Sequence, residues 1–233
     1  MNKNKNAIGI IGGVGPQATK FIYEKIIEFS QTKYGAKDND DYPKIIIYSV
    51  PIPDFISDEK RLEQAKKMLI TATKSLTKAG VTKLSIASNT VHILLPKLRK
   101  QTIIDFLSVI EITAKKCSNC GFKKVGILGS PILVKSGIYT KALRKYGIRT
   151  ILPTKEELQI AEDIIRDVLA GGKDGDKKQK YIKVLNELFT RGAEAIILGC
   201  TELPLAVNYE ALGNKTINSD EVLAEALTDY YYE

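Results

Sequence analysis

Short, mostly apolar runs alternate along the chain with longer amphipathic stretches. The runs lie at 7–12, 44–50, 82–87, 123–129, 148–152 and 194–199. The first, 7–12, is continuous and ends in glycines, which suits a buried parallel strand better than an alternating antiparallel one. Between them, helical spacing predicts helices over 18–29 behind Pro16, 58–79 closed by Gly80, 90–100 with Pro96 bending or dividing it, and about 134–145, 155–170 and 177–190. A last helix starts at Ser219, an N-cap with Asp220 and Glu221 in its first turn. Residues 31–43 read as a polar loop. Strand and helix alternating at this spacing predict an α/β protein of doubly wound parallel sheets.

The pattern also repeats. Residues 79–90 (AGVTKLSIASNT) are echoed at 191–202 (RGAEAIILGCTE), each a helix-ending Gly, an apolar strand, then a small nucleophile-type side chain and polar residues. Ser88 and Cys200 occupy the matching ends. A second echo, at nearly the same offset, pairs Ala7–Gly13 with Lys124–Ser130. An ancient duplication predicts two similar domains, packed so that both strand ends reach one cleft between them. In parallel sheets, sites form beyond the carboxyl ends of strands, where Gly12–Pro16, Ser88–Thr90, Ser130 and Cys200–Glu202 all fall.

With 233 residues the chain is long enough for two domains, and 44% hydrophobic with 27% charged residues is an ordinary globular balance. No apolar run approaches a membrane span, and the first residues lack the apolar core of a signal peptide, so the expected setting is cytoplasmic with no membrane partner. The net charge of +8 raises the question of nucleic acid. Cations such as Lys60, Arg61, Lys66, Lys67, Lys74 and Lys78 are interleaved with Asp58, Glu59 and Glu63, the pattern of a solvated helix face, so no nucleic-acid partner is expected. Three cysteines give no disulfide framework. Cys117 and Cys120 have C-x-x-C spacing but no second pair, and His92, the single histidine, is far away in sequence, so no metal is expected.

The glycines at 9, 12, 13 and 15 match neither a dinucleotide fingerprint nor a Walker loop, yet they permit close backbone approach by an anion before a helix. Ser57 to Lys60 has S-x-x-K spacing, but Ser57 before an acidic first turn reads as a helix cap. Cys200, just ahead of a helix start, is expected to have its thiolate favoured and its pKa lowered. Backbone N–H groups with Asn89, Thr90 and Thr201 form a candidate carboxylate cradle. His92 either orients the Ser88 loop through a structural hydrogen bond or carries a proton.

Gly12-Gly13-Val14-Gly15-Pro16-x-Ala18-Thr19, Asn89-Thr90-x-His92 and Gly199-Cys200-Thr201-Glu202, in that order over the whole chain, resemble the aspartate/glutamate racemase family. The resemblance implies two α/β domains with pseudo-twofold symmetry, residues 1–112 joined by the C-terminal helix 218–233 and residues 113–217, with the active site at the interdomain cleft. It implies a homodimer and amino-acid racemisation without pyridoxal phosphate or any other cofactor, one thiolate removing the α-proton while an opposite thiol returns one. Cys200 and Ser88 become the catalytic positions, with Gly13, Val14, Asn89, Thr90, Ser130, Thr201 and Glu202 around the substrate. Inversion needs an acid and a base on opposite faces, and two half-sites supply them. The carbanion must be stabilised by hydrogen bonds to the α-carboxylate.

The family's first cysteine is Ser88 here, a hydroxyl that holds no useful anion near neutral pH. Three explanations stay open: an engineered Cys-to-Ser change, a native one-cysteine racemase, or a relative that protonates one face only, as a decarboxylase or lyase would. A non-catalytic amino-acid-binding relative is a further alternative. Phe55 and Leu169 stand where aspartate-preferring relatives carry cations, which points to a substrate less acidic than aspartate.

Overall fold

The computed structural model describes residues 6–53, 59–172, 175–206 and 215–233. Phe55 and the expected Ser57 cap lie outside the described residues. The chain divides into two compact units, one of Met1–Val109 with Leu223–Glu233 and one of Ile110–Val222.

In the first unit, strand β1 (Ile8–Gly12) leads into helix α1 (Pro16–Tyr34), then β2 (Ile45–Ser49), α2 (Glu59–Lys78) and β3 (Lys83–Ile86). The strands are parallel in the order β2-β1-β3, with Ile11 level with Ile86. Ile11, Leu84 and Ile86 are fully buried and pack with Leu69, Ala72 and Leu76 of α2. A single parallel bridge, Leu84 to Phe106, adds the start of a fourth strand position. Residues 90–101 do not form one helix. A 3-10 segment (Thr90–Leu94), α3 (Leu95–Leu98) and a second 3-10 segment (Arg99–Gln101) share the stretch, with Pro96 in the first turn of α3. Helix α4 (Val109–Asn119) then starts the second unit.

The second unit repeats the plan with β4 (Lys124–Leu128), α5 (Pro131–Ser136), α6 (Ile138–Arg144), β5 (Arg149–Ile151), α7 (Lys155–Leu169), α8 (Gly175–Thr190) and β6 (Ala195–Leu198). Helix α9 (Glu202–Ala206), β7 (Thr216–Asn218) and α10 (Ser219–Tyr232) complete it, and α10 runs on into the first unit. The sheet is parallel with order β5-β4-β6-β7, so β5-β4-β6 reproduces β2-β1-β3, and Leu128 is level with Leu198 as Ile11 is with Ile86. Its core joins Ile164 and Ile165 of α7 and Tyr181, Val184, Leu185 and Leu188 of α8 to Ile196 and Leu198.

Several elements differ from the sequence reading. Helix α1 continues to Tyr34 through the start of the expected loop, because Lys33 pairs with Glu225 and Asp229 and the Tyr34 ring stacks on Tyr232, 4.2 Å between centroids. Gly35, at φ 71°, then closes it. The helix expected near 134–145 starts earlier, at Pro131, and is cut in two by Gly137, which ends α5 in the left-handed conformation at φ 67°. Strand β7 has three residues, too few for a periodic signal, and is defined by its pairing with β6.

Candidate functional site

Gly13 and Ser88 each lie two residues past the level pair Ile11 and Ile86, and Ser130 and Cys200 each lie two past Leu128 and Leu198. The two units therefore present equivalent positions at the carboxyl ends of equivalent strands. Each pair belongs to its own unit.

In the first unit the chain leaves β1 through Gly13 and Gly15, at φ 83° and 84°. A Cβ at Gly13 would collide with the Val50 backbone, so glycine is required both by its conformation and by that close approach. The Gly13 N–H donates to Thr19 Oγ1 at 3.0 Å, which fixes the loop to α1, while Val14 packs on the core. Past β3, Ser88 is half-buried, and its Oγ accepts a long bond of 3.5 Å from the Val91 N–H. Asn89 is 4% exposed, and Thr90 is partly buried as the first residue of the 3-10 segment. Both nitrogens of His92 face backbone groups. Nδ1 lies 2.7 Å from the Ser88 carbonyl, and Nε2 accepts from the Val109 N–H at 3.3 Å, which makes Nδ1 the protonated nitrogen of a neutral ring. His92 thus ties the Ser88 loop to the start of α4.

In the second unit Ser130 caps α5, its Oγ accepting from the Leu133 N–H at 3.3 Å. Past β6, Cys200 is half-buried against the cluster that holds Tyr181, and its thiol donates to Glu202 Oε2 at 2.9 Å. Glu202 is 4% exposed and Thr201 8%. Burial pushes the Cys200 thiol well above its ordinary value, and the charge and hydrogen bond of Glu202 push it the same way. This corrects the expectation of a lowered pKa. Helix α9 has only five residues and so a feeble dipole, while a carboxylate sits directly on the sulfur. The resting group is a thiol.

Two residues of these strand ends were missed. Asp220, in the first turn of α10, is 1% exposed. Burial raises its carboxyl from 3.8 to about 7; a hydrogen bond from Thr201 opposes the shift and the Glu202 charge adds to it. Asp220 Oδ2 has no hydrogen-bond partner among the described residues. Gln17, in the first turn of α1, likewise has its Oε1 buried without a partner among them. An acid in a first turn reads in sequence as a complement to the helix dipole, and nothing in the string marks Gln17 as shielded. Among the described residues no group of three or more His, Cys, Asp or Glu is arranged to hold a metal, and no helix is long and apolar enough to cross a membrane. The cysteines are all free, Cys117 buried in α4 and Cys120 exposed just beyond it. Leu169 closes α7 and is 46% exposed.

Two parallel α/β units of repeated plan thus carry small polar residues beyond their strand ends, one with a thiol hydrogen-bonded to a carboxylate there. The chain belongs to the Asp/Glu/hydantoin racemase family, whose model matches residues 11–227. It is 28% identical over 224 residues to the broad specificity amino-acid racemase RacX of Bacillus subtilis (strain 168), covering 96% of this chain and 97% of the relative. The structure of an aspartate racemase homologue from Pyrococcus horikoshii OT3 is 30% identical, with a TM-score of 0.82 and coverage of 98% of this chain and 100% of that one. Picrophilus torridus aspartate racemase is also 30% identical, with a TM-score of 0.80 and coverage of 97% and 94%.

Proposed function

We propose that the chain is an amino-acid racemase in which Cys200 serves one face of the substrate Cα and the position of Ser88 serves the other. The observation that carries the reading is the Cys200–Glu202 hydrogen bond of 2.9 Å at the strand end equivalent to that of Ser88. A thiol held protonated suits the acid role. As it gives its proton to the substrate carbanion, the sulfur becomes a thiolate, and return of the proton from the solvent side resets it. When the reaction runs the other way, Glu202 first takes the thiol proton, the thiolate then removes the α-proton, and the Ser88 hydroxyl delivers a proton to the opposite face before solvent resets both groups. Backbone N–H groups at the strand ends with Asn89, Thr90 and Ser130 hold the substrate carboxylate, where charge accumulates in the transition state. Gly13 and Val14 shape the wall, and Thr201 links Cys200 to Asp220. The substrate is a free amino acid, the assembly a homodimer and the setting cytoplasmic.

Ser88 limits the opposite face, because a serine hydroxyl has no base of its own here: His92 already spends both nitrogens on backbone groups. The raised thiol opposite an oxygen also supports a second reading, a decarboxylase or lyase that protonates one face only. Single enantiomers of aspartate, glutamate and a panel of neutral amino acids, followed by proton NMR in deuterated water, separate the two. The panel is broad because the RacX relative is a broad specificity racemase. Exchange at Cα is expected to be slow in the chain itself, faster by about 100-fold or more in Ser88→Cys, and lost in Cys200→Ala. Absence of exchange in the chain and in Ser88→Cys with every amino acid would reject the racemase, and release of carbon dioxide without inversion would establish the second reading.

A further inference from the structure

The positive charge of this chain is concentrated. Residues 112–155 contain ten Lys and Arg and no Asp or Glu, so the remainder of the chain carries a net charge of −2 against the total of +8. Part of this segment lines a cavity of about 610 Å³ in the second unit, between the α5–α6 corner and the β5–α7 connection. Lys135 in the last turn of α5, and Lys141 and Arg144 one turn apart on α6, reach it together with the Thr140 side chain. Val134, Leu152, Pro153 and Leu158 supply an apolar floor and rim.

The three cations are not balanced by carboxylates among the described residues. Among the described residues Lys33, Lys66, Lys83, Lys177, Arg166 and Arg191 all sit on carboxylates, whereas Lys135, Lys141 and Arg144 sit on none. Glu157, at the start of α7, is already committed to the Thr154 N–H and to Arg191. At the rim Leu152 is 41% exposed, a large apolar side chain left to water beside the charges. Gly137, on the cavity wall, has nothing within 4 Å of where a Cβ would stand.

We infer that this cavity binds a small organic phosphate that carries two or more negative charges on an apolar or aromatic body. Unpaired cations converging on a concave surface focus a positive potential there. A guanidinium takes a phosphate in bidentate fashion, with the two ammonium groups as additional point charges. The apolar floor gives the organic body a place that inorganic phosphate cannot use, and the volume falls in the range of small-molecule sites. The site lies wholly within the second unit and uses none of the residues assigned to racemisation.

The test is a fluorescence titration of the full chain with N-methylanthraniloyl-ADP at about 50 mM and about 200 mM salt. Binding is expected to weaken about tenfold or more in Lys135→Gln/Lys141→Gln/Arg144→Gln, severalfold in Leu152→Ser, and severalfold in Arg144→Lys, which keeps the charge but not the fork. Lys66→Gln/Lys67→Gln/Lys74→Gln on α2 should bind as the parent does, and amino-acid exchange should be unaltered in all four variants. ADP should compete better than pyrophosphate, which lacks the apolar body, and adenosine should not compete. Unchanged titration of the cavity triple variant, or equal loss in the α2 variant, would overturn the site. Displacement of the probe by a single-stranded RNA of about 20 nucleotides at lower concentration than ADP would overturn it too, since a backbone polyanion would then be the better ligand.

Discussion

At the scale of single residues, the proposed chemistry rests on Cys200, Glu202, Thr201 and Asp220. A sulfur that donates to a carboxylate at 2.9 Å and is raised by burial is a poor nucleophile at rest. Alkylation with iodoacetamide at pH 8 should therefore mark exposed Cys120 first, Cys200 slowly, and Cys117 last, since burial pushes the Cys117 thiol up to about 12. In Glu202→Gln the Cys200 rate should rise by about tenfold, because the neighbouring charge that holds the proton is gone and an amide oxygen is a weaker acceptor than a carboxylate; intact-mass spectrometry reads the order. Asp220 yields a stability prediction whose sign is fixed by its raised carboxyl. Between 3.8 and about 7 the unfolded chain ionises this group while the folded chain keeps it protonated, so its contribution declines as pH rises through that window and is level above it. Asp220→Asn removes the penalty. Its advantage over the parent in urea unfolding should be larger at pH 8 than at pH 5, by roughly 2–3 kcal/mol. The equivalent strand-end positions of Cys200 and Ser88 were legible in the sequence because each follows a mostly apolar run and each run has its echo. The thiol's protonation was not, because it depends on where the Glu202 side chain turns and on how much water the fold removes.

At the scale of elements, the carboxyl ends of the strands are set by glycines that no other residue can replace. Gly13 combines a positive φ with a backbone neighbour, Val50, in the space a side chain would need. Gly13→Ala should cost roughly 2–4 kcal/mol in chemical unfolding and displace the loop that Thr19 anchors. Gly137→Ala, with open space at the same test position, should cost only about 1 kcal/mol, the conformational penalty alone. Short, mostly apolar runs between amphipathic stretches identified six of the seven strands among the described residues, most clearly β1, β4 and β6, whose apolar side chains are buried. The exceptions are physical. Strand β7 owes its existence to β6, α1 is lengthened by the ion pairs and ring stacking of Lys33 and Tyr34, and residues 90–101 lack a single helical period because Pro96 and the tight 3-10 turns share them.

At the scale of the whole molecule, the same connection order appears twice, and in both units the helix that follows the fourth strand position continues into the other unit. Helix α4 leaves Phe106 and Leu107 for the second unit, and α10 leaves β7 for the first. There Asn6 donates to the Tyr230 carbonyl, Lys33 pairs with Glu225 and Asp229, and the Tyr232 hydroxyl donates to the Asp41 carbonyl. Leu223, Ala224 and Leu227 are completely buried. A chain ending at Val222 should lose several kcal/mol in urea unfolding, since three core side chains and the Lys33 pairs go together. A premature stop at codon 223 would thus act as a lesion near the amino terminus, and a gene cut at its internal seam would yield two incomplete proteins. Each copy of the ancient repeat long ago surrendered its independence to its twin.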